Sequence, residues 1–315
     1  MLDQVTTLQR VTASLPRTVI SVEEAARSVG LNRFQARMFR RIHGLDQMAS
    51  DFETDMFDMI SVPARELLRT QPEVQSSIRY LVYAHTTSDL TPSFMPAAER
   101  FRDMLGLADA DAFAVTHVNC GSGLEAVDIA GELLRAGGDP SARALLVVGE
   151  KPAAVANRLI VNVSLLGHAA AACLVGLDGR GGRVLSYAVR TAGQFADGLW
   201  LEPQLRAQFE DTYIKTVVEV IHEALAGAEM SPADLTMVVP HNVNVSSWLR
   251  LCRALGLDRD RVFLDNVPRC SHCYSTDLFL NLTTMRERGL LIEGGRYLLV
   301  TVGLGATYAA MVLEY

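Results

Sequence analysis

The stretch from residue 114 to residue 134, AVTHVNCGSGLEAVDIAGELL, limits what this chain can fold into more than any other. An apolar, strand-like run from Ala114 to Val118 stops at Asn119 and Cys120. Gly121 and Gly123 follow, and Leu124, Val127, Ile129 and Leu133 then recur at helical spacing. Cys120 therefore sits where a strand turns sharply into a helix. The unpaired N–H groups and the dipole at a helix start favour a thiolate over a thiol. The pattern suits a nucleophile turn in an acyl-transferring enzyme and, equally, a small buried cysteine that precedes a helix.

The 315 residues supply enough apolar material for one large α/β unit or two fused halves: 49% are hydrophobic and 21% charged. A formal charge of −7 argues against a broad nucleic-acid surface, while leaving room for a local basic entry for an anionic ligand. Five cysteines in a chain of this length form no disulfide framework and fit a reducing, cytoplasmic setting. The opening MLDQVTTLQR lacks the basic-then-apolar order of a secretory leader. No apolar run has the length of a membrane span.

Read in order, Val22 to Val29 is a short helix with Ser21 as N-cap and Glu24 as capping-box partner. Asn32 to His43 carries Arg33, Arg37, Arg40 and Arg41 among Phe34, Met38, Phe39 and Ile42, a helix with one packed face and one basic face. Met56 to Leu68 and Phe94 to Leu105 are further helices, and Ile78 to Tyr83 is a strand. Beyond the organising helix, Ala144 to Val148, Leu166 to Val175 and Arg183 to Ala188 read as strands, with a loop from Arg190 to Gln208. Tyr213 to Leu225 is helical, Leu235 to Val239 a strand into Pro240 and His241, and Val245 to Leu255 a helix. Val262 to Leu264, the helix from Thr276 to Arg288 and the strands Tyr297 to Val302 and Ala309 to Leu313 complete the rhythm. The expected organisation is two strand-and-helix halves, residues 1–182 with Cys120 and residues 183–315 with the histidines, helices covering buried sheets.

Cys120, His241 and His272 all end apolar strands or lie in the turns just beyond, the edge at which α/β folds place ligands. A thiolate takes an acyl group from a thioester and leaves well in the next step. Imidazoles beside it can carry the thiol proton or hold a developing enolate oxygen.

At these positions the chain resembles the thiolase superfamily, and within it the ketoacyl-acyl-carrier-protein synthase III group. NCGSGLEA around Cys120 is similar to that group's nucleophile motif. PHNVN is similar to its HQAN motif, with His241 for the histidine, Asn242 for the glutamine and Asn244 for the final asparagine. GLGAT from Gly303 to Thr307 resembles the glycine-rich C-terminal turn. The likeness spans nearly the whole chain. It implies a thiolase-like fold of two similar α/β halves in five α-β-α-β-α layers, and a homodimer.

It also implies an acyltransferase that forms a Cys120 acyl-thioester from acyl-CoA or acyl-carrier protein. Decarboxylative condensation with a malonyl-type thioester would follow, in fatty-acid, polyketide or other secondary-metabolite biosynthesis. Two alternatives stand beside it: transfer of the acyl group to an oxygen or nitrogen of a small acceptor, and a catalytically silent heterodimer partner or metabolite-binding protein. No cofactor is bound permanently; coenzyme A or a phosphopantetheine thioester is substrate.

The chain departs from the group in three places. His272, in Ser271-His272-Cys273-Tyr274, stands where relatives carry the asparagine of a GNTS-like turn. Arg37 stands at about the place where relatives carry the tryptophan that stacks on coenzyme A, with Arg41 following, so Arg37, Arg41 and Asn244 are the expected donor-binding residues. Gly167 and His168 replace a glycine and aspartate, and His168 reads as structural. Cys270, His272 and Cys273 spell a compact cluster without a fourth ligand, so no metal is expected.

Overall fold

The structure, a computed structural model, describes residues 4–87, 90–92, 94–152 and 154–315. Met1, Leu2 and Asp3, which begin the segment read above for a leader, lie outside them. Among the described residues nine strands form one sheet: β1 (Thr7–Ser14), β2 (Ile78–Ala84), β3 (Asp111–Val115), β4 (Arg143–Gly149), β5 (Ala170–Gly176), β6 (Gly182–Thr191), β7 (Met237–Pro240), β8 (Arg296–Gly303) and β9 (Thr307–Glu314). Their lateral order is β7-β8-β9-β6-β1-β5-β4-β2-β3. Only Thr7 with Arg183 and Leu8 with Gly182 pair across the β1–β6 junction, so this is two sheets touching at one corner.

The second sheet repeats the first. In the first, β2 runs parallel to β3 and β4, while β4–β5 and β5–β1 are antiparallel. In the second, β7 is parallel to β8, while β8–β9 and β9–β6 are antiparallel. A single parallel bridge from Val238 to Val262 stands where β3 stands in the first.

Helices α1 (Val22–Ser28), α2 (Arg33–Arg41), α3 (Met56–Thr70), α4 (Ala97–Met104), α5 (Ser122–Gly137), α6 (Pro203–Gly227), α7 (Val245–Leu255), α8 (Val267–Cys270) and α9 (Asp277–Glu287) fill the connections. On the outer face of the first sheet, Ile60 and Leu67 of α3 and Phe101 of α4 pack on Leu81, Leu145 and Leu174. Between the sheets, Leu124 and Val127 of α5 and Leu278 and Leu282 of α9 meet Val82 and Leu146 on one side and Leu299 and Met311 on the other. On the outer face of the second sheet, Val217 and Ile221 of α6 and Trp248 of α7 cover Leu298, Val300 and Val312. These are the five α-β-α-β-α layers of a thiolase-like fold.

Local sequence explains the elements. In β4, Leu145 and Val147 face the outer helices while Ala144, Leu146 and Val148 face the middle layer, so a strand buried on both sides reads as one unbroken apolar run. Ser21 and Glu24 close the capping box at α1, worth about 1 kcal/mol. α5 stops at Gly138, whose φ of 69° is the left-handed conformation glycine adopts without strain.

The run expected as a strand from Ala114 to Val118 is strand only to Val115, the end of β3, and Val262 to Leu264 makes only the bridge at Val262. Two further segments differ from their sequence reading. The strand expected from Leu166 starts only at Ala170, because residues 166 and 167 pair instead with the turn around His272. The loop expected to reach Gln208 ends at Pro203, where α6 begins ten residues before Tyr213. Proline is at home in a first helical turn, but no side-chain cap marked this start, and the residues after it are mostly exposed. Among the described residues no helix is long and apolar enough to cross a membrane.

Candidate active site

Asn119–Gly121 forms a single tight turn between Val118 and α5, with Asn119 at φ 51°. This places buried Cys120 at the start of a sixteen-residue helix. The end of β8 packs directly behind the turn. A Cβ on Gly303 would lie 2.0 Å from the carbonyl oxygen of Val118, and the Thr301 hydroxyl donates to the Cys120 carbonyl at 3.1 Å. The first glycine of the GLGAT turn is thus required by close approach.

His272 and His241 both reach the cavity at Cys120, from different elements. The Nε2 of His272 lies 3.4 Å from Cys120 Sγ. Its backbone is pinned on both sides, with Gly167 N donating to His272 O at 2.8 Å and His272 N to Leu165 O at 3.3 Å. Behind the ring, Nδ1 donates to Oδ2 of Asp277 at 2.5 Å. Asp277, the first residue of α9, is fully buried and accepts further bonds from Asn242 N at 2.5 Å, Asn242 Nδ2 at 3.3 Å and Cys273 N at 2.7 Å. Burial alone would lower the affinity of His272 for a proton. The Asp277 carboxylate and the Cys120 sulfur outweigh it and hold His272 well above the usual histidine range. Cysteine, imidazole and carboxylate thus stand in line, an arrangement that activates a thiol.

His241 follows β7, and its Nδ1 lies 3.3 Å from the carbonyl oxygen of Val300. A carbonyl can only accept, so Nδ1 carries the proton and Nε2 keeps its lone pair. That nitrogen faces the hydroxyl of Tyr213 at 3.5 Å. Burial, reinforced by the charge of nearby His272, brings the His241 pKa down to about 4, so the ring is neutral near pH 7. The two imidazole centroids are 6.1 Å apart. The sequence left the rings free either to carry the thiol proton or to hold a developing enolate oxygen; here the Nδ1 proton of His272 is committed to Asp277 and that of His241 to Val300.

Two cavities meet at Cys120. One, about 390 Å³, is lined by His43, Tyr213, His241, Asn244, Arg250 and His272. The other, about 200 Å³, is bounded mainly by apolar and aromatic groups, among them Leu159, Leu166, Leu199, Trp200 and Tyr274. Asn244 caps α7, accepting from Ser247 N at 2.7 Å and donating to Val163 O at 3.1 Å, at the wall of the larger cavity.

Arg37 and Arg41 are exposed on α2 and line neither cavity. The arginine at the larger cavity is Arg250 of α7, which abuts α2 through the hydrogen bond from Val245 N to His43 O at 2.8 Å. His168 is buried outside both linings and accepts from Asp51 N at 3.0 Å, with burial lowering its pKa to about 4. Cys270 and Cys273 are buried and free, and among the described residues no cluster of three or more His, Cys, Asp or Glu side chains is arranged to hold a metal.

Sequence reasoning passed over Asp277, Tyr213 and Arg250. Asp277 had one visible signal, a carboxylate five residues after His272 at the start of a helix. Tyr213 had none, since an aromatic on a helix is ordinarily core.

Residues 225–315 match the family model described as 3-oxoacyl-[acyl-carrier-protein (ACP)] synthase III C terminal. The beta-ketoacyl-[acyl-carrier-protein] synthase III of Sphingopyxis alaskensis is 27% identical over 329 residues, covering 96% of each chain. The 3-oxoacyl-[acyl-carrier-protein] synthase III of Aquifex aeolicus superposes with a TM-score of 0.83 at 19% identity, covering 98% of this chain and 100% of that one. Xanthomonas campestris OleA, solved with bound lauric acid and lauroyl-CoA, superposes with a TM-score of 0.84 at 17% identity over the whole of both chains. The fold is the thiolase-like fold of these structures, with a buried cysteine at its centre. Over nearly its whole length the chain is similar to proteins named beta-ketoacyl-[acyl-carrier-protein] synthase III, and residues 225–315 match the C-terminal model of that group.

Proposed function

We propose that this chain is a condensing acyltransferase. It loads an acyl group from acyl-CoA or acyl-carrier protein onto Cys120 and joins it, with loss of carbon dioxide, to a malonyl-type thioester in fatty-acid-type biosynthesis. The observation that carries this reading is the line from Cys120 Sγ through His272 to Asp277. The names of the curated relatives support the choice of condensation.

In the first half-reaction the Cys120 thiolate attacks the donor carbonyl, the donor's C–S bond breaks, and the departing thiol takes the Nε2 proton of His272. The apolar cavity receives the acyl chain. In the second, a malonyl thioester in the larger cavity loses carbon dioxide to give an enolate. Its carbon attacks the acyl carbonyl, and the bond to Cys120 breaks. Once the donor thiol has left and His272 has taken a proton back from solvent, its Nε2–H and the Tyr213 hydroxyl hold the enolate oxygen. Arg250, at the wall of the larger cavity, takes the phosphates of coenzyme A or phosphopantetheine, Arg37 and Arg41 on the exposed side of α2 add positive charge to the approach, and Asn244 holds the wall the carrier passes.

In this reading residues 1–182 bring the nucleophile and residues 183–315 the histidines. The enzyme works as a cytoplasmic homodimer, a setting supported by five cysteines outside any disulfide. Incubating the protein with a panel of acyl-CoA and acyl-carrier-protein donors and weighing it intact tests the proposal. Wild type gains the acyl mass, Cys120→Ser does not, and a malonyl donor then removes the acyl group with release of carbon dioxide. A wild-type protein that stays unloaded across the panel overturns it.

A further inference from the structure

Beyond the corner where Thr7 meets Arg183 and Leu8 meets Gly182, β1 and β6 part, and the wedge between them holds a cavity of about 80 Å³. It lies at the far end of the sheet from the catalytic sulfur. β4 ends beside Ala170, on the edge shared with the ends of β2 and β3 that lead to Cys120, and β5 then runs from Ala170 to Gly176, which pairs with Thr7. Leu8, Leu282, Leu291 and Leu313 line the wedge together with two arginines, Arg10 of β1 and Arg286 from the last turn of α9.

Two like charges at one cavity repel unless something negative lies between them. Arg286 donates to the carbonyl of Val11, and burial, then the charge of Arg10, holds it below the usual arginine range against the opposing pull of Tyr315 and Glu287. The Nε of Arg10 is buried without a hydrogen-bond partner, and among the described residues neither arginine is ion-paired. Nearby carboxylates are already taken. Glu66, which feels the charge of Arg10, is gripped by Arg69 at 2.9 and 2.7 Å, and Glu314, next to Tyr315, takes Arg183 at 2.9 Å. A buried donor without an acceptor is destabilising, so this pair calls for an acceptor that the described residues do not supply.

We propose that the wedge is a binding site for a small carboxylate with a short alkyl tail, its oxygens held between Arg10 and Arg286 and its tail against the leucines. A guanidinium fork matches the two oxygens of a carboxylate in one plane, and two forks satisfy more of their lone pairs than one. Phosphate would have to leave oxygens against leucine side chains, which offer no hydrogen bond; an alkyl tail gains there instead. The enclosed volume is room for about three water-sized groups, which keeps the tail to a few carbons.

The site is separate from the chemistry. α9 spans eleven residues from Asp277, which holds His272, to Glu287, a rise of about 16 Å. A ligand beside Arg286 touches none of the reacting groups, so the inference stands whether or not Cys120 carries an acyl group.

Calorimetric titration of sodium butyrate into the full chain, at fixed ionic strength, tests it. Wild type is expected to bind saturably. Arg10→Gln and Arg286→Gln should each weaken binding about tenfold or more, the loss of a charge-assisted contact, whereas Arg250→Gln, at the larger cavity, should leave it unchanged. Acetate, two carbons shorter, should bind several-fold more weakly than butyrate. Arg286 also holds the Val11 carbonyl; should Arg286→Gln fail to fold, Arg10→Gln, whose Nε has no hydrogen bond to lose, decides. A wild type that takes up no butyrate, binding that survives both wedge variants, or binding lost only in Arg250→Gln overturns the inference. Inorganic phosphate held more tightly than butyrate by the same arginines overturns it too.

Discussion

Asp277 gives His272 its character. It lies out of reach of any substrate, behind the ring, yet its carboxylate is what offsets the burial that would otherwise strip the imidazole of its proton. Asp277→Asn removes that charge while nearly keeping the shape, so the pKa of His272 must drop. A histidine held above its ordinary range stays protonated until the pH rises through the elevated value. In the variant that loss comes at lower pH. The rate of Cys120 acylation, measured against pH by intact mass, is therefore expected to fail at lower pH in Asp277→Asn than in wild type; coincident profiles would remove the carboxylate from the mechanism. That Cys120, His241 and His272 meet at one cavity was legible from their places at strand ends and the turns beyond, because ligand sites in α/β folds collect there. The carboxylate was not, since aspartate near a helix start ordinarily reads as a solvated cap. Only the middle layer, which buries α9 from Asp277 through Met285, turns it inward.

Between elements, the contact of α5 with α9 sets the sulfur against the imidazole. Gly123, one turn from Cys120, makes the contact possible: a Cβ there would lie 2.7 Å from the Phe279 ring and 2.8 Å from Ser275 O. Gly123→Ala is expected to cost about 2 kcal/mol through overpacking, read as a lowered urea midpoint, and to slow acylation by pushing the helices apart. An alanine variant as stable and as active as wild type would show that the layer yields more readily than its packing suggests. Elements with a local signature were legible, among them α1 with its capping box and β4 with its apolar run. The start of α6 was not, for want of a cap, and neither was the late start of β5, which depends on the turn at His272 capturing residues 166 and 167. Arg37 and Arg41 show the same limit: helical spacing put them on one face of α2, but which arginine borders the cavity depends on how α2 meets α7.

At the scale of the molecule, two neutral histidines are buried in separate places, His241 at the second sheet and His168 beside Asp51. Each has a folded pKa of about 4 against an ordinary 6.5. The unfolded chain therefore binds protons below 6.5 that the folded chain refuses until about 4. The stability they contribute is whole above the upper value and drains away as the pH falls toward the lower one, by up to about 3 kcal/mol for each. Urea midpoints are expected to fall steadily from about pH 6.5 to about pH 4.5, and His168→Gln should flatten that decline. Midpoints level across this range would mean both rings charge without opposition. The two-sheet architecture has a last consequence, since it leaves a single sulfur where two chambers join. Under the proposed reaction the acyl chain waits in the narrow chamber, and the wide one must receive first the donor's carrier and afterwards the partner that collects the load. Both visitors use one berth, so the spent carrier has to clear it before the next can dock, and a surplus of empty carrier will hold up the traffic.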